Sequence, residues 1–186
     1  MKIHLKYLII LAILIGRTLP ALSQNESDNI NVRFSIPEIA VMDIEPAYNN
    51  IEFSVSASSN PGGEPVVEQI SGESIWINYS SAINTNGNKR SINAQLLDNS
   101  LPSGISFYVE ASAASPFGSI NQGASTGKVK ISSTPRPIIS GIGSCFTGDG
   151  VNKGHEIKYF LEITDFDKIE SKNNQVFTVM YTITDN

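Results

Sequence analysis

His155 is the residue of this chain best suited to carry a proton, and it stands almost alone. The other histidine, His4, falls in an N-terminal leader, so a multi-histidine zinc site is excluded, and neither HExxH nor GxSxG occurs. A Ser-His-Asp arrangement would have to recruit His155 from between Gly154 and Glu156, which read as a loop entering a strand. A surface histidine is expected there. Carboxylates gather late in the chain at Asp149, Glu156, Glu162, Asp165, Asp167 and Glu170. Loops can bring such groups together as the acid and base of a hydrolase or as calcium ligands. Asp149-Gly-Val-Asn152 lacks the oxygen ladder and closing glutamate of a calcium loop, so no catalytic residue, metal or cofactor is assigned.

Trp76, Tyr79 and Tyr108 form a second candidate set, because an exposed aromatic ring stacks on the apolar face of a sugar. The competing reading of Trp76 is packing between sheets. Cys145 is the one cysteine, so no disulfide can form within the chain. Its small-residue setting, Gly143-Ser-Cys-Phe-Thr-Gly148, predicts a buried, inert thiol, with an intermolecular bridge as the alternative. The sequons Asn25-Glu-Ser27 and Asn78-Tyr-Ser80 matter only in a host that glycosylates exported proteins.

The elements that must position these groups begin after the leader. Residues 1–23 combine a basic start (Lys2, His4, Lys6) with the apolar run Leu8 to Ile15 and small residues at Ala21 and Ser23. That run is too short to cross a hydrocarbon core of about 30 Å and matches a signal peptide cleaved after Ser23. The expected product is one domain, residues 24–186, exported to the periplasm, cell surface or medium, with no membrane span after the signal is removed. Three of the 13 basic residues leave with the leader, so 10 remain against 18 acidic ones. Such a surface repels nucleic acid and anionic membrane.

Between frequent Gly, Pro, Ser and Asn, apolar residues recur at every second position, the period of strands. The alternation predicts strands at Ile30 to Ile36, Ile39 to Ile44, Ile51 to Val55, Val66–Val67, Ile75 to Tyr79, Ile92 to Leu96, Ile105 to Ala111, Lys128 to Ile131, Ile157 to Ile163 and Val176 to Ile183. Lys128 and Lys130 suit an exposed edge. Arg90 to Leu97 with Ile105 to Ala111 is the expected hairpin, and the last run, apolar on both faces, is expected in the middle of a sheet. Pro135 and Pro137 read as breaks. Residues 165–174 have room for one helical turn, and no long amphipathic helix is present. The fold class is all-β: an immunoglobulin-like or Greek-key sandwich of about eight or nine strands, with a small barrel as the alternative.

The closing run Gln175-Val-Phe-Thr-Val-Met-Tyr-Thr-Ile-Thr184 resembles the last strand of chaperone–usher pilus subunits and of the related spore-coat-U-like secreted domains. Asn31-Val-Arg-Phe-Ser-Ile-Pro37 resembles the strand such subunits donate to a neighbour, although the cysteine pair that many of them carry is absent. The leader followed by Gln24, with the Asn- and Ile-rich composition, is similar to exported Bacteroidetes proteins. The resemblance implies a fimbrial or adhesin-like structural role, not an enzyme. Its partners would be copies of the chain itself or other envelope proteins, joined by strand addition at a sheet edge through Val32, Phe34 and Ile36. A carbohydrate- or cell-envelope-binding module, with glycans as partners, is the alternative, and a hydrolase using the late carboxylates is a third.

Overall fold

A repeat of two puts every apolar residue of a run on one face of its strand, and the strands of this chain turn that face toward a shared interior. The structure, a computed structural model, describes residues 28–47, 50–85, 87–97, 101–172 and 175–186. The leader and the sequon at Asn25 lie outside the described residues. The chain divides into residues 1–35 and residues 36–186.

In the first unit, residues 28–35 are described and contain no strand, although the alternation of Ile30, Val32 and Phe34 predicts one. These side chains are exposed, Phe34 at 85%, and so is Ile36 at the start of the second unit. Alternation alone does not make a strand, which also needs a neighbouring backbone to receive its hydrogen bonds.

In the second unit the described strands are β1 (Ile39–Glu45), β2 (Glu52–Ser56), β3 (Val66–Ser71), β4 (Ile75–Ala82), β5 (Arg90–Leu96), β6 (Ile105–Ala111), β7 (Ala124–Ser125), β8 (Lys128–Lys130), β9 (Arg136–Ile142), β10 (Cys145–Phe146), β11 (His155–Ile163) and β12 (Val179–Asp185). One 3-10 turn, Phe166–Lys168, fills the polar stretch where a helical turn is expected. One antiparallel sheet runs β1-β4-β11-β6-β8, with β10 also on β4; a second runs β12-β5-β9-β7; and β2 pairs with β3. The chain passes repeatedly from one large sheet to the other, which makes this an all-β sandwich. Among the described residues no helix is long and apolar enough to cross a membrane.

The interior is built from both sheets: Ile75, Ile77, Phe107, Val109 and Ile157 from the first, and Ile92, Leu96, Ile138, Ile139 and Ile142 from the second. Each such side chain contributes about 1.5–3 kcal/mol by leaving water. Phe107 anchors an aromatic group, with ring centroids 4.7 Å from Phe177, 5.8 Å from Tyr159 and 6.3 Å from Phe53, so the β2-β3 pair also packs on this core. The hydroxyls of Tyr159 on β11 and Tyr181 on β12 meet at 2.7 Å and tie the two sheets through the core. Burial pushes the Tyr159 phenol up to about 12, so both groups remain neutral donors and acceptors over the physiological range.

Three expectations about strand order are corrected. Arg90–Leu96 and Ile105–Ala111 do not form a hairpin: β5 pairs with β9 and β12, whereas β6 pairs with β11 and β8. Crossing between sheets buries the apolar faces of both strands against each other, which a hairpin within one sheet could not do. The final strand lies at an edge instead of the middle, because β5 alone receives it. Residues 136–142 form β9 despite Pro137, inside the second sheet; the β5-β9 register slips on either side of Ile92 and accommodates the residue without an N–H. The edge expected for Lys128 and Lys130 is β8.

Arg90 shares the inward parity of Ile92, Ala94 and Leu96, and its guanidinium is buried at one end of the sandwich. Nε donates to Asp185 Oδ1 at 2.6 Å, and Nη1 donates to the Ile39 carbonyl and to Ser81 Oγ at 3.2 Å, while Glu38 lies 3.5 Å from Nη2. The side chain therefore clasps β1, β4 and β12 together. Replacing Arg90 with Met should cost about 3 kcal/mol in urea denaturation, because the carbonyls it serves lose their donor. Asp185→Asn should cost less than about 1 kcal/mol, since Asp185 is exposed to water.

Candidate functional site

The residues with chemical potential converge where the loop between β6 and β7, residues 112–123, meets residues 143–155. Gly154 makes this meeting possible. Its φ is +65°, and a Cβ there would collide with the Ile77 carbonyl, so only glycine lets the chain enter β11 this close to β4. His155 then lies opposite Ile77 on the inward face and is 0% exposed. The surface histidine expected from the sequence is thus a core residue.

Both of its ring nitrogens are occupied. Nδ1 lies 2.8 Å from the Ser112 carbonyl, Nε2 lies 2.9 Å from the Tyr79 hydroxyl, and that hydroxyl also reaches the Gln122 carbonyl. The Tyr79 and His155 rings stack at 6.0 Å between centroids with 13° between planes. Burial drives the Tyr79 phenol far above its ordinary value and holds the His155 imidazole below its own. Gln122, missed in the sequence because nothing in its neighbours marks it, donates from Nε2 to the Phe117 and Ser119 carbonyls and so shapes the loop over the pair.

Tyr79 is accordingly not a platform for an external ring; at 4% exposed it belongs to the interior. Trp76 and Tyr108 share the outer face of the first sheet. Trp76 stands opposite Glu45 and Glu156, and Tyr108 stands opposite Phe160. Four residues of β11 separate these two rows, about 13 Å. The Lys128 ammonium lies 4.8 Å from the Tyr108 ring centroid and 4.5 Å from that of Phe160. Phe160 is a ring the sequence reading did not select, although its place in the outward parity of β11 marked it.

The late carboxylates do not assemble. Glu156 accepts from Ser74 Oγ at 2.7 Å, Glu162 pairs with Lys128, Asp165 with Lys168 at 2.6 Å, and Glu170 with Lys172 at 3.5 Å. Asp149 instead meets Asp43 and Glu45 of β1, with carboxylate oxygens within 4.8 Å of one another. Asn78 lies opposite Asp43 on the outer face, is buried there, and donates from Nδ2 to the Gly150 carbonyl at 3.1 Å. Its Oδ1 is 3.3 Å from the place a Cβ would take on Gly154 and is buried without a hydrogen-bond partner. The burial of Asn78 also withdraws the Asn78-Tyr-Ser80 sequon from the folded surface.

No family model, curated protein or solved structure matches this chain.

Cys145, as expected, is buried, and burial pushes its thiol up. Reaction with a soluble aromatic disulfide at pH 8 should run about a hundredfold more slowly in the folded protein than in urea, followed by absorbance of the released thiolate.

Proposed function

We propose that this chain is an exported, non-catalytic β-sandwich subunit of the cell envelope or surface, joined to copies of itself or to other envelope proteins by strand addition. The observation that carries this reading is an open seam between the two edge strands β1 and β12. The core-directed residues Met42 and Ile44 of β1, and Val179, Tyr181 and Ile183 of β12, are only half-buried, whereas Ile77, Ile92 and Leu96 on the strands just inside are sealed. The opposite edges of the two large sheets are protected: β8 carries Lys128 and Lys130, and β7 is two residues long.

Residues 30–36 have what that seam lacks. Val32, Phe34 and Ile36 are exposed and alternate with Asn31, Arg33 and Ser35, so one added strand would turn apolar side chains inward and polar ones to water. A neighbouring copy is the natural donor. The leader at residues 1–23 supports export, and the engagement of both His155 nitrogens in a buried network supports a non-enzymatic role.

Size-exclusion chromatography with light scattering tests the assembly. The chain beginning at Gln24 should form concentration-dependent oligomers, and deletion of residues 25–37 should leave a folded monomer whose Tm rises when the peptide 28–38 is added. Equal sizes for the two forms would remove strand addition.

A second reading, a glycan-binding module, is favoured by the Tyr108–Phe160 pair and by Trp76 on the same outer face. On a polysaccharide array, Tyr108→Ala and Trp76→Ala should each lower binding at least about tenfold while far-UV circular dichroism stays unchanged. Undiminished binding in both variants would exclude this face.

A further inference from the structure

Alternate residues of a strand share a face, so Asp43 and Glu45 of β1 stand side by side on the outer face of the first sheet while Met42 and Ile44 turn to the core. A third carboxylate arrives from far along the chain. Asp149 lies between β10 and β11, and the bend at Asp149-Gly150 sets its carboxylate against the other two, with one oxygen from each of the three residues within 4.8 Å of the others. Asp43 Oδ1 also accepts from the Ile44 N–H at 2.8 Å, which holds that carboxylate in place. Among the described residues the ion pairs are made by Arg90, Lys128, Lys168 and Lys172, and none of them reaches these acids. Like charges so close repel unless a positive charge stands among them.

Asn78 brings a fourth oxygen, of a different kind. On β4 it stands opposite Asp43, on the same outer face, yet it is only 4% exposed. Nδ2 donates to the Gly150 carbonyl at 3.1 Å, so the amide projects into the space between Asp43 and the Asp149-Gly150 bend. With Nδ2 engaged, Oδ1 is the atom left to offer, and it is buried with no hydrogen-bond partner among the described residues. Burying an amide oxygen without a donor is costly, and a cation removes that cost by bonding the oxygen directly.

The donor set decides which cation. His155 turns inward with both ring nitrogens engaged, and Cys145 belongs to the core, so oxygen is the donor type on offer. Carboxylate and amide oxygens suit hard cations, Ca2+ or Mg2+. Two oxygens bound to one Ca2+ at about 2.4 Å lie no more than about 4.8 Å apart, a limit the three carboxylates meet. Ca2+ also accepts irregular sets of about six to eight oxygens, whereas Mg2+ demands a near-ideal octahedron at about 2.1 Å. Ligands fixed on two strands and a bend favour the larger ion.

We propose that Asp43, Glu45, Asp149 and Asn78 Oδ1 form a calcium site on the outer face of the first sheet, with water completing the shell. Its consequence is mechanical. β1 is an edge strand, paired with β4 and held near its start by the bond from Arg90 to the Ile39 carbonyl. The cation fastens the other end, at Glu45, to the segment between β10 and β11. The site stands on these four residues and depends neither on strand addition nor on glycan binding.

Isothermal titration calorimetry on the chain beginning at Gln24, stripped of metal with a chelator, tests the site. One Ca2+ per chain should bind with a Kd of about 10⁻⁴ to 10⁻³ M, and Mg2+ at least about tenfold more weakly. Calcium at about 10 mM should raise the Tm by about 3–10 °C. Asp43→Asn and Asp149→Asn, both at exposed positions, should each weaken binding at least about tenfold without lowering the metal-free Tm. Asn78→Ala should weaken binding as much. Should that variant not fold, the Asn78 side-chain amide signal in the wild-type NMR spectrum decides, and it should shift in step with the binding heat. No calcium binding, equal binding of Mg2+, undiminished binding in any of these variants, or an Asn78 signal that stays still at saturation would overturn the site.

Discussion

Two antiparallel sheets must each hide one apolar face, and with a single cysteine in the chain no disulfide can share that task. The layer of Ile77, Val109, Ile92, Ile138, Ile139 and Ile142 between them is therefore the interaction on which the rest depends. It explains why the chain crosses from sheet to sheet so often. Consecutive strands in different sheets contribute apolar faces to the one shared layer, as β5 and β6 do. Close packing also fixes where polar groups can go. A polar side chain with inward parity must find its partners inside or at the ends of the layer.

Three such groups show three outcomes. Arg90 lies at the end of the sandwich, where carbonyls and two carboxylates at the water boundary take up its donors. Tyr159 and Tyr181 satisfy each other across the sheets as a neutral pair. His155 and Tyr79 meet each other and the carbonyls of Ser112 and Gln122 inside the layer. The third arrangement lies beneath loop 112–123, whose Ser112 and Gln122 carbonyls it meets.

The edges of the sheets divide in the same physical terms. Lysines guard β8, whereas β1 and β12 leave core-directed Met42, Ile44, Val179, Tyr181 and Ile183 half-covered beside each other, clasped at one end by Arg90. Seven residues earlier than Ile39, Val32 begins an alternating apolar series that has no sheet of its own among the described residues. The half-covered core positions of β1 and β12 and the exposed apolar alternation of residues 30–36 are the two features on which the proposed strand addition rests.

The sequence by itself determined the class: alternation at Ile75–Tyr79, Ile105–Ala111 and Ile157–Ile163 made strands, the frequent turns kept them short, and the lone Cys145 left the core to packing. Its period also told which side chains share a face, as with Ile92, Ala94 and Leu96, whereas the inward place of Arg90 emerged from the structure. What the period cannot tell is which strand lies beside which. The hairpin expected of β5 and β6, the central place expected of β12 and the surface place expected of His155 all failed on that point, because pairing partners are chosen by long-range burial that no local pattern encodes. Tertiary structure alone brought Ser112, Gln122, Tyr79 and His155, separated by tens of residues, within reach of shared protons, since only a packed interior excludes the water that would otherwise supply them.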